Sequence, residues 1–176
     1  HRRDGSPPHV HRVFIDGQAG TTGLDITRRL AGRSDLELLV LDDADRKDPA
    51  ARGRRIGEAD VVIACLPDDA ARETAALADA AGTRVIDAST AHRTDPAWVY
   101  GLAELASGQR EAIAGAHRVA NPGCYATGFL LLVAPLVRAG VLRPDAALKV
   151  HALSGYSGGG RALIERHEGA SDPQAL

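Results

Sequence analysis

The chain has 176 residues, 44% of them hydrophobic and 25% charged, with a net charge of −2. That length suits one full domain or one domain and part of another, and the composition excludes wholesale disorder. The balance of 21 basic against 23 acidic residues leaves no polyelectrolyte surface for nucleic acid or an anionic membrane. Two cysteines make neither a disulfide framework nor a four-thiolate zinc site, no metal site is expected, and a reducing, cytoplasmic setting fits. The longest apolar run, Thr127 to Val137, is too short to span a bilayer and is broken by Pro135. Residues 1–9, which start with His in a chain without Met, read as a tag remnant or a disordered start.

From Val10 onward, short β-branched runs alternate with helical stretches. Val13-Phe14-Ile15 is a strand core, stopped by Asp16-Gly17. Thr21 to Leu30 is a helix with Thr21 as its expected cap. Leu36 to Leu41 is a second strand, and Ala44 to Gly57 reads as a charged loop with at most a short edge element. Ala59 to Leu66 is a third strand, ended by Pro67. Asp68 is expected to cap an Ala-rich helix over Asp69 to Ala81, which Gly82 terminates. Arg84 to Asp87 is a fourth strand. Continuous apolar strands separated by helices predict an α/β fold with a Rossmann-type parallel sheet covered on both faces.

After Thr90 the rhythm changes. Pro96 to Ala114 is irregular and then helical, and Val119-Ala120 is a short strand. The turn Asn121-Pro122-Gly123 leads into an apolar helix from Cys124, closed by Gly140. Leu148 to Leu153 predicts another strand, feeding the glycine-rich turn Ser154 to Gly160. The expected organisation is a nucleotide-binding domain over residues 10–123. The start of a second α/β (α+β) catalytic and dimerisation domain follows over 124–176, cut short.

Two motifs carry chemistry. Gly17-Gln18-Ala19-Gly20-Thr21-Thr22-Gly23 joins the first strand to the first helix. There glycines let a pyrophosphate approach the backbone, and helix N-terminal amides face it. The strand position is what gives a glycine trio weight; otherwise it is only a tight turn. Asp42-Asp43 after the second strand suits a ribose 2′-hydroxyl, whereas Arg46-Lys47 suits a 2′-phosphate, and both readings stand. The second motif places Cys124 at a helix start after Asn-Pro-Gly. The helix dipole and free amides there favour a thiolate and can hold an oxyanion. Cys65, inside an apolar run, reads as a core residue.

The segments Phe14–Gly23, Ala59–Glu73, Arg84–Thr94, Arg118–Phe129 and Ser154–Arg161 together carry a resemblance. The chain resembles the short-variant N-acetyl-γ-glutamyl-phosphate reductases, within the semialdehyde dehydrogenase superfamily. NPGCYAT is the most specific segment; related aspartate-semialdehyde dehydrogenases are similar in organisation but usually carry Asn where Gly123 stands. The resemblance implies NADP(H) as cofactor and Cys124 as nucleophile attacking a small-molecule acyl phosphate, with formation of a thioester. It implies a homo-oligomer in full-length form. It extends cofactor contacts to Leu66, Pro67, Ser89 and Gly158, and implies Arg93, Asn121, Ser154 and Ser157 as substrate contacts. It also implies a catalytic His that no residue here matches. His92 and His117 read as solvated loop residues, and His151 as a residue lining the site. The alternatives are an aspartyl or aminoadipyl phosphate substrate, or a non-catalytic NADP-binding module.

Overall fold

The computed structural model describes residues 10–42, 44–155, 158 and 160–169. The chain divides into two compact units, His1–Pro122 and Gly123–Leu176. The first unit runs β1 (His11–Asp16), α1 (Thr21–Leu30), β2 (Leu36–Leu39), α2 (Pro49–Glu58), β3 (Val61–Ala64), α3 (Asp68–Ala81) and β4 (Arg84–Asp87). It continues with β5 (Val99–Tyr100), α4 (Gln109–Gly115) and β6 (Arg118–Ala120). The second unit holds α5 (Cys124–Arg138) and α6 (Gly160–Glu168).

The six strands form one sheet in the order β2-β1-β3-β4-β6-β5. Every neighbouring pair is parallel. The chain steps from β1 to β2 on one side and then places β3 on the other side of β1. Ligands collect outside the strand carboxyl ends at such a reversal. Register lines up Asp16, Ala64, Asp87 and Ala120 as the last row of that edge. Two rows deeper, Phe14 pairs with Val62, and Val62 with Val85. These residues share a buried cluster with Ile56, Ala75, Ala78 and Trp98. Burying a side chain such as Phe14 stabilises the fold by about 1.5–3 kcal/mol.

The structure departs from the sequence expectations in four places. The stretch read as a charged loop contains α2, because Asp48 accepts from the amides of Ala50 and Ala51, each at 3.1 Å, and Pro49 opens the helix. The caps of α1 and α3 fall one residue earlier than expected, on Gly20 and Pro67, neither with a side-chain cap bond. A two-residue strand, β5, adds the sheet edge after the irregular stretch. Leu148 to Leu153 is not a strand and is exposed. An apolar alternation becomes a strand only where a neighbour takes up its backbone N–H and C=O groups.

A buried ion pair ties β1 to two helices. The Asp16 carboxylate accepts from Arg52 Nη2 at 3.0 Å and Nε at 3.2 Å, and from the Thr74 hydroxyl at 2.7 Å. Arg52 Nη2 also donates to the Thr74 hydroxyl at 2.8 Å, and Nη1 reaches Glu73 at 3.4 Å. Removing one partner leaves an uncompensated buried charge. Arg52→Ala should therefore lower the unfolding free energy by about 3–5 kcal/mol in urea titration at neutral pH. A loss below about 1 kcal/mol, the range of a solvated pair, would show that the pair contributes nothing special.

Candidate active site

The glycine loop sits at the switch point. Gly17 has φ +93°, and a Cβ there would overlap the Cys65 carbonyl oxygen at the end of β3. The same Cβ would touch the Leu66 side chain, so Gly17 and Leu66 are brought together. A Cβ at Gly23 would overlap the Gly17 carbonyl. These two glycines are required by the fold. Gly20 is different: a Cβ would meet the Gly17 oxygen at 3.4 Å, an ordinary contact. The fold alone therefore does not demand glycine at 20, whereas a backbone-bound pyrophosphate does.

Helix α1 starts from Gly20 with no side-chain cap and no acidic residue in its first turn. Its Thr21, Thr22 and Gly23 amides therefore stay open to an anion. By contrast Asp48 caps α2, and Asp68 and Asp69 stand in the first turn of α3. Gln18 is half-buried and Ala19 is exposed at the loop tip. The residues present fit a dinucleotide pyrophosphate.

The loop after β4 is tied at three points. Asp87, buried at the strand end, accepts from the Ser89 amide at 2.9 Å, the Ser89 hydroxyl at 2.7 Å and His92 Nδ1 at 2.7 Å. His92 is buried and stacks on Trp98 with ring centroids 4.0 Å apart. The expectation of a solvated His92 is thus corrected: a carboxylate and an aromatic face hold the ring inside. Asp68, displaced from its expected capping role, accepts from the Thr90 amide at 3.0 Å and hydroxyl at 2.6 Å. The Thr90 hydroxyl bond holds the Asp68 carboxyl below its usual range, with smaller help from the Thr90 amide, Arg72 and Arg93. A depressed carboxylate stabilises the fold above its unfolded pKa, and that contribution disappears as pH falls through the folded value. Arg93 donates from Nε to the Asn121 carbonyl and from Nη2 to the Ala88 carbonyl, each at 3.0 Å. No site role was read from sequence for Asp87, Thr90 or Trp98, and Asp68 was placed only as a helix cap. The Asp-x-Ser spacing after a buried strand was the one available signal.

In the second unit, Cys124 is exposed and is the first residue of α5. That helix begins at Gly123 without a side-chain cap, while Thr127 N and its hydroxyl, each at 2.9 Å, bond the Gly123 carbonyl. The Cys124, Tyr125 and Ala126 amides are left for an oxyanion. The Ser154 hydroxyl donates to the Gly155 carbonyl at 3.1 Å, and Gly158 N to the same oxygen at 2.9 Å. Ser157 lies outside the described residues.

The other expected positions scatter. Arg46 and Lys47 are exposed in a turn between β2 and α2, and Asp42 is exposed; Asp43 lies outside the described residues. Because β2 ends at Leu39, no carboxylate ends the strand itself. Pro67 caps α3. His117 is exposed, and His151 is exposed rather than on a strand. A cavity of about 500 Å³ lies at the opposite, amino edge of the sheet, beside Thr83, Val99 and Arg118, away from these motifs.

A parallel sheet with a glycine loop at its switch point and an uncapped first helix defines a dinucleotide-binding fold of the Rossmann type. The semialdehyde dehydrogenase NAD-binding domain matches residues 12–116, and the semialdehyde dehydrogenase dimerisation domain matches residues 124–174. The chain belongs to the semialdehyde dehydrogenase family.

It is 59% identical over 170 residues to "N-acetyl-gamma-glutamyl-phosphate reductase 2" of Pseudomonas putida, covering 96% of this chain and 54% of that protein. It is 54% identical over 163 residues to "N-acetyl-gamma-glutamyl-phosphate reductase" of Burkholderia lata, covering 93% of this chain and 52% of that protein. The chain thus spans about half the length of the curated relatives it matches. Aspartate semialdehyde dehydrogenase II of Vibrio cholerae shares the fold, with a TM-score of 0.64 and 18% identity over 90% of this chain and 51% of that one. No helix among the described residues is long and apolar enough to cross a membrane.

The two cysteines differ in environment. Burial first, then Asp16 and Asp87, push the Cys65 thiol up to about 11. Iodoacetamide at pH 8 should therefore modify the exposed Cys124 and spare Cys65, with Cys65 labelling rising only as pH nears about 11. Peptide mass spectrometry reads both sites. Equal labelling at pH 8 would contradict the contrast between a half-buried Cys65 and an exposed Cys124.

Proposed function

We propose that this chain carries the nucleotide domain and the nucleophile of an NADPH-dependent reductase of N-acetyl-γ-glutamyl phosphate, a step of arginine biosynthesis. The observation that carries this reading is Cys124, exposed as the first residue of an uncapped helix directly after Asn121-Pro122-Gly123. The names of the relatives supply the substrate.

The dinucleotide pyrophosphate rests on Gly17 to Gly23, with Leu66, Pro67 and Ser89 completing the contacts. Arg46 and Lys47 take the 2′-phosphate, which favours NADPH over NADH. Ser89 acts chiefly through its position, since both its amide and its hydroxyl are committed to Asp87. Arg93 and Asn121 receive the acyl phosphate. Arg93 retains an Nη1 group with no hydrogen bond among the described residues for this task.

In the first step the Cys124 thiolate attacks the acyl carbon. The carbon–oxygen bond to phosphate breaks, phosphate leaves with the electron pair, and a thioester remains on Sγ. Bound NADPH supplies the hydride for reduction of that thioester. The amides opening α5 hold the negative oxygen as it develops, and the carbon–sulfur bond then breaks to return the thiolate and release the aldehyde. The dimerisation-domain match and the exposed Leu132, Val141 and Leu153 support a homo-oligomer. The proposed setting is cytoplasmic.

The natural full-length protein should catalyse phosphate-dependent oxidation of N-acetylglutamate semialdehyde with NADP. It should prefer that substrate over aspartate or aminoadipate semialdehyde. Cys124→Ser should lower turnover by at least about 100-fold while leaving NADPH affinity near that of the parent, since an alcohol without a strong base is a poor nucleophile. Parental turnover in Cys124→Ser, or preference for another semialdehyde, would overturn the reading.

A further inference from the structure

We infer that Arg93 is a positioning residue for the segment that carries Cys124, a role that rests on the reductase reading above and goes beyond substrate binding. The guanidinium presents a rigid planar fork. Its Nε side is committed to two backbone oxygens, that of Asn121 just beyond β6 and that of Ala88 just beyond β4. These strands are neighbours in the sheet. One side chain therefore bolts together the two strand ends.

Asn121 is held a second time. Its amide donates to the Asp87 carbonyl at 2.8 Å. Both polar groups of this residue's backbone are thus fixed, the amide to the last residue of β4 and the carbonyl to the Arg93 guanidinium. Pro122 follows and restricts φ, and Cys124 comes three residues after Asn121. The nucleophile's segment leaves the sheet from a pinned origin.

Arg93 is itself immobilised from its own loop. Asp87 gathers Ser89 and His92, Trp98 closes on the His92 ring, and Asp68 holds Thr90. The fork is therefore placed before any substrate arrives. A guanidinium that only attracted phosphate would not need its Nε edge spent on main-chain carbonyls. A lysine at this position keeps the charge but loses the two-pronged geometry.

The test is Arg93→Lys, with Arg93→Gln as a second variant, each made in this chain without substrate and compared by amide hydrogen exchange. The Asn121 amide should exchange at least about tenfold faster in both, while Ile15 and Val62 amides in the sheet interior stay unchanged. In the reductase assay, Arg93→Lys should lower kcat by about tenfold or more and change KM for the acyl phosphate by less than about threefold, because the charge remains. Unchanged Asn121 exchange together with a raised KM and parental kcat would overturn the inference and leave Arg93 a phosphate ligand alone. Faster exchange spread equally over Ile15 and Val62 in both variants would overturn it too, since Arg93 would then support the whole sheet. A parent protein without reductase activity would sink the functional reading, and the exchange comparison would still decide the clamp.

Discussion

The Asp16 carboxylate ends the first strand in the interior, and its charge is tolerated only because Arg52 and Thr74 meet it there. A buried ion without such partners costs several kcal/mol. The requirement therefore fixes where α2 and α3 lie against β1. It also fixes where β1 stops, and so where Gly17 must turn. The turn then depends on glycine, because the Cys65 carbonyl occupies the place of a Cβ. From one paired carboxylate follows the position of the loop that leads to the open end of α1.

A second carboxylate, Asp87, lies in the same terminal row two strands away. It orders the loop that ends in Arg93 just as Asp16 orders the helices. Both acids raise the pKa of the neighbouring Cys65 thiol, on top of the larger effect of burial. The sheet edge thus silences one cysteine and leaves the other, Cys124, exposed at the start of an uncapped helix. Helices α1, α3, α4 and α5 begin without a side-chain cap, whereas α2 begins under Asp48.

Much of this was legible in the sequence, for identifiable reasons. Strands buried on both faces read as unbroken apolar runs, so β1, β3 and β4 stand out, as does the glycine trio between β1 and α1. Helix α2 was hidden because its inward face carries Arg52 beside Ala51 and Ile56, which breaks the apolar period. The Asp48-Pro49 start was its readable sign. The edge strand β5 is two residues long and has no period to detect. Leu148 to Leu153 shows the opposite error, a strand pattern without a partner strand among the described residues. His92 looked like an ordinary loop residue because its partners Asp87 and Trp98 come together only in three dimensions.

The most direct test of the account is amide hydrogen exchange of this chain with and without saturating NADPH. The account predicts slowed exchange at the Thr21, Thr22 and Gly23 amides and at Leu66, where β1 and β3 end, with α4 unchanged. Unaltered exchange from Gly17 to Gly23 under saturating NADPH, or protection centred on the amino edge of the sheet around Thr83 and Arg118, would contradict it.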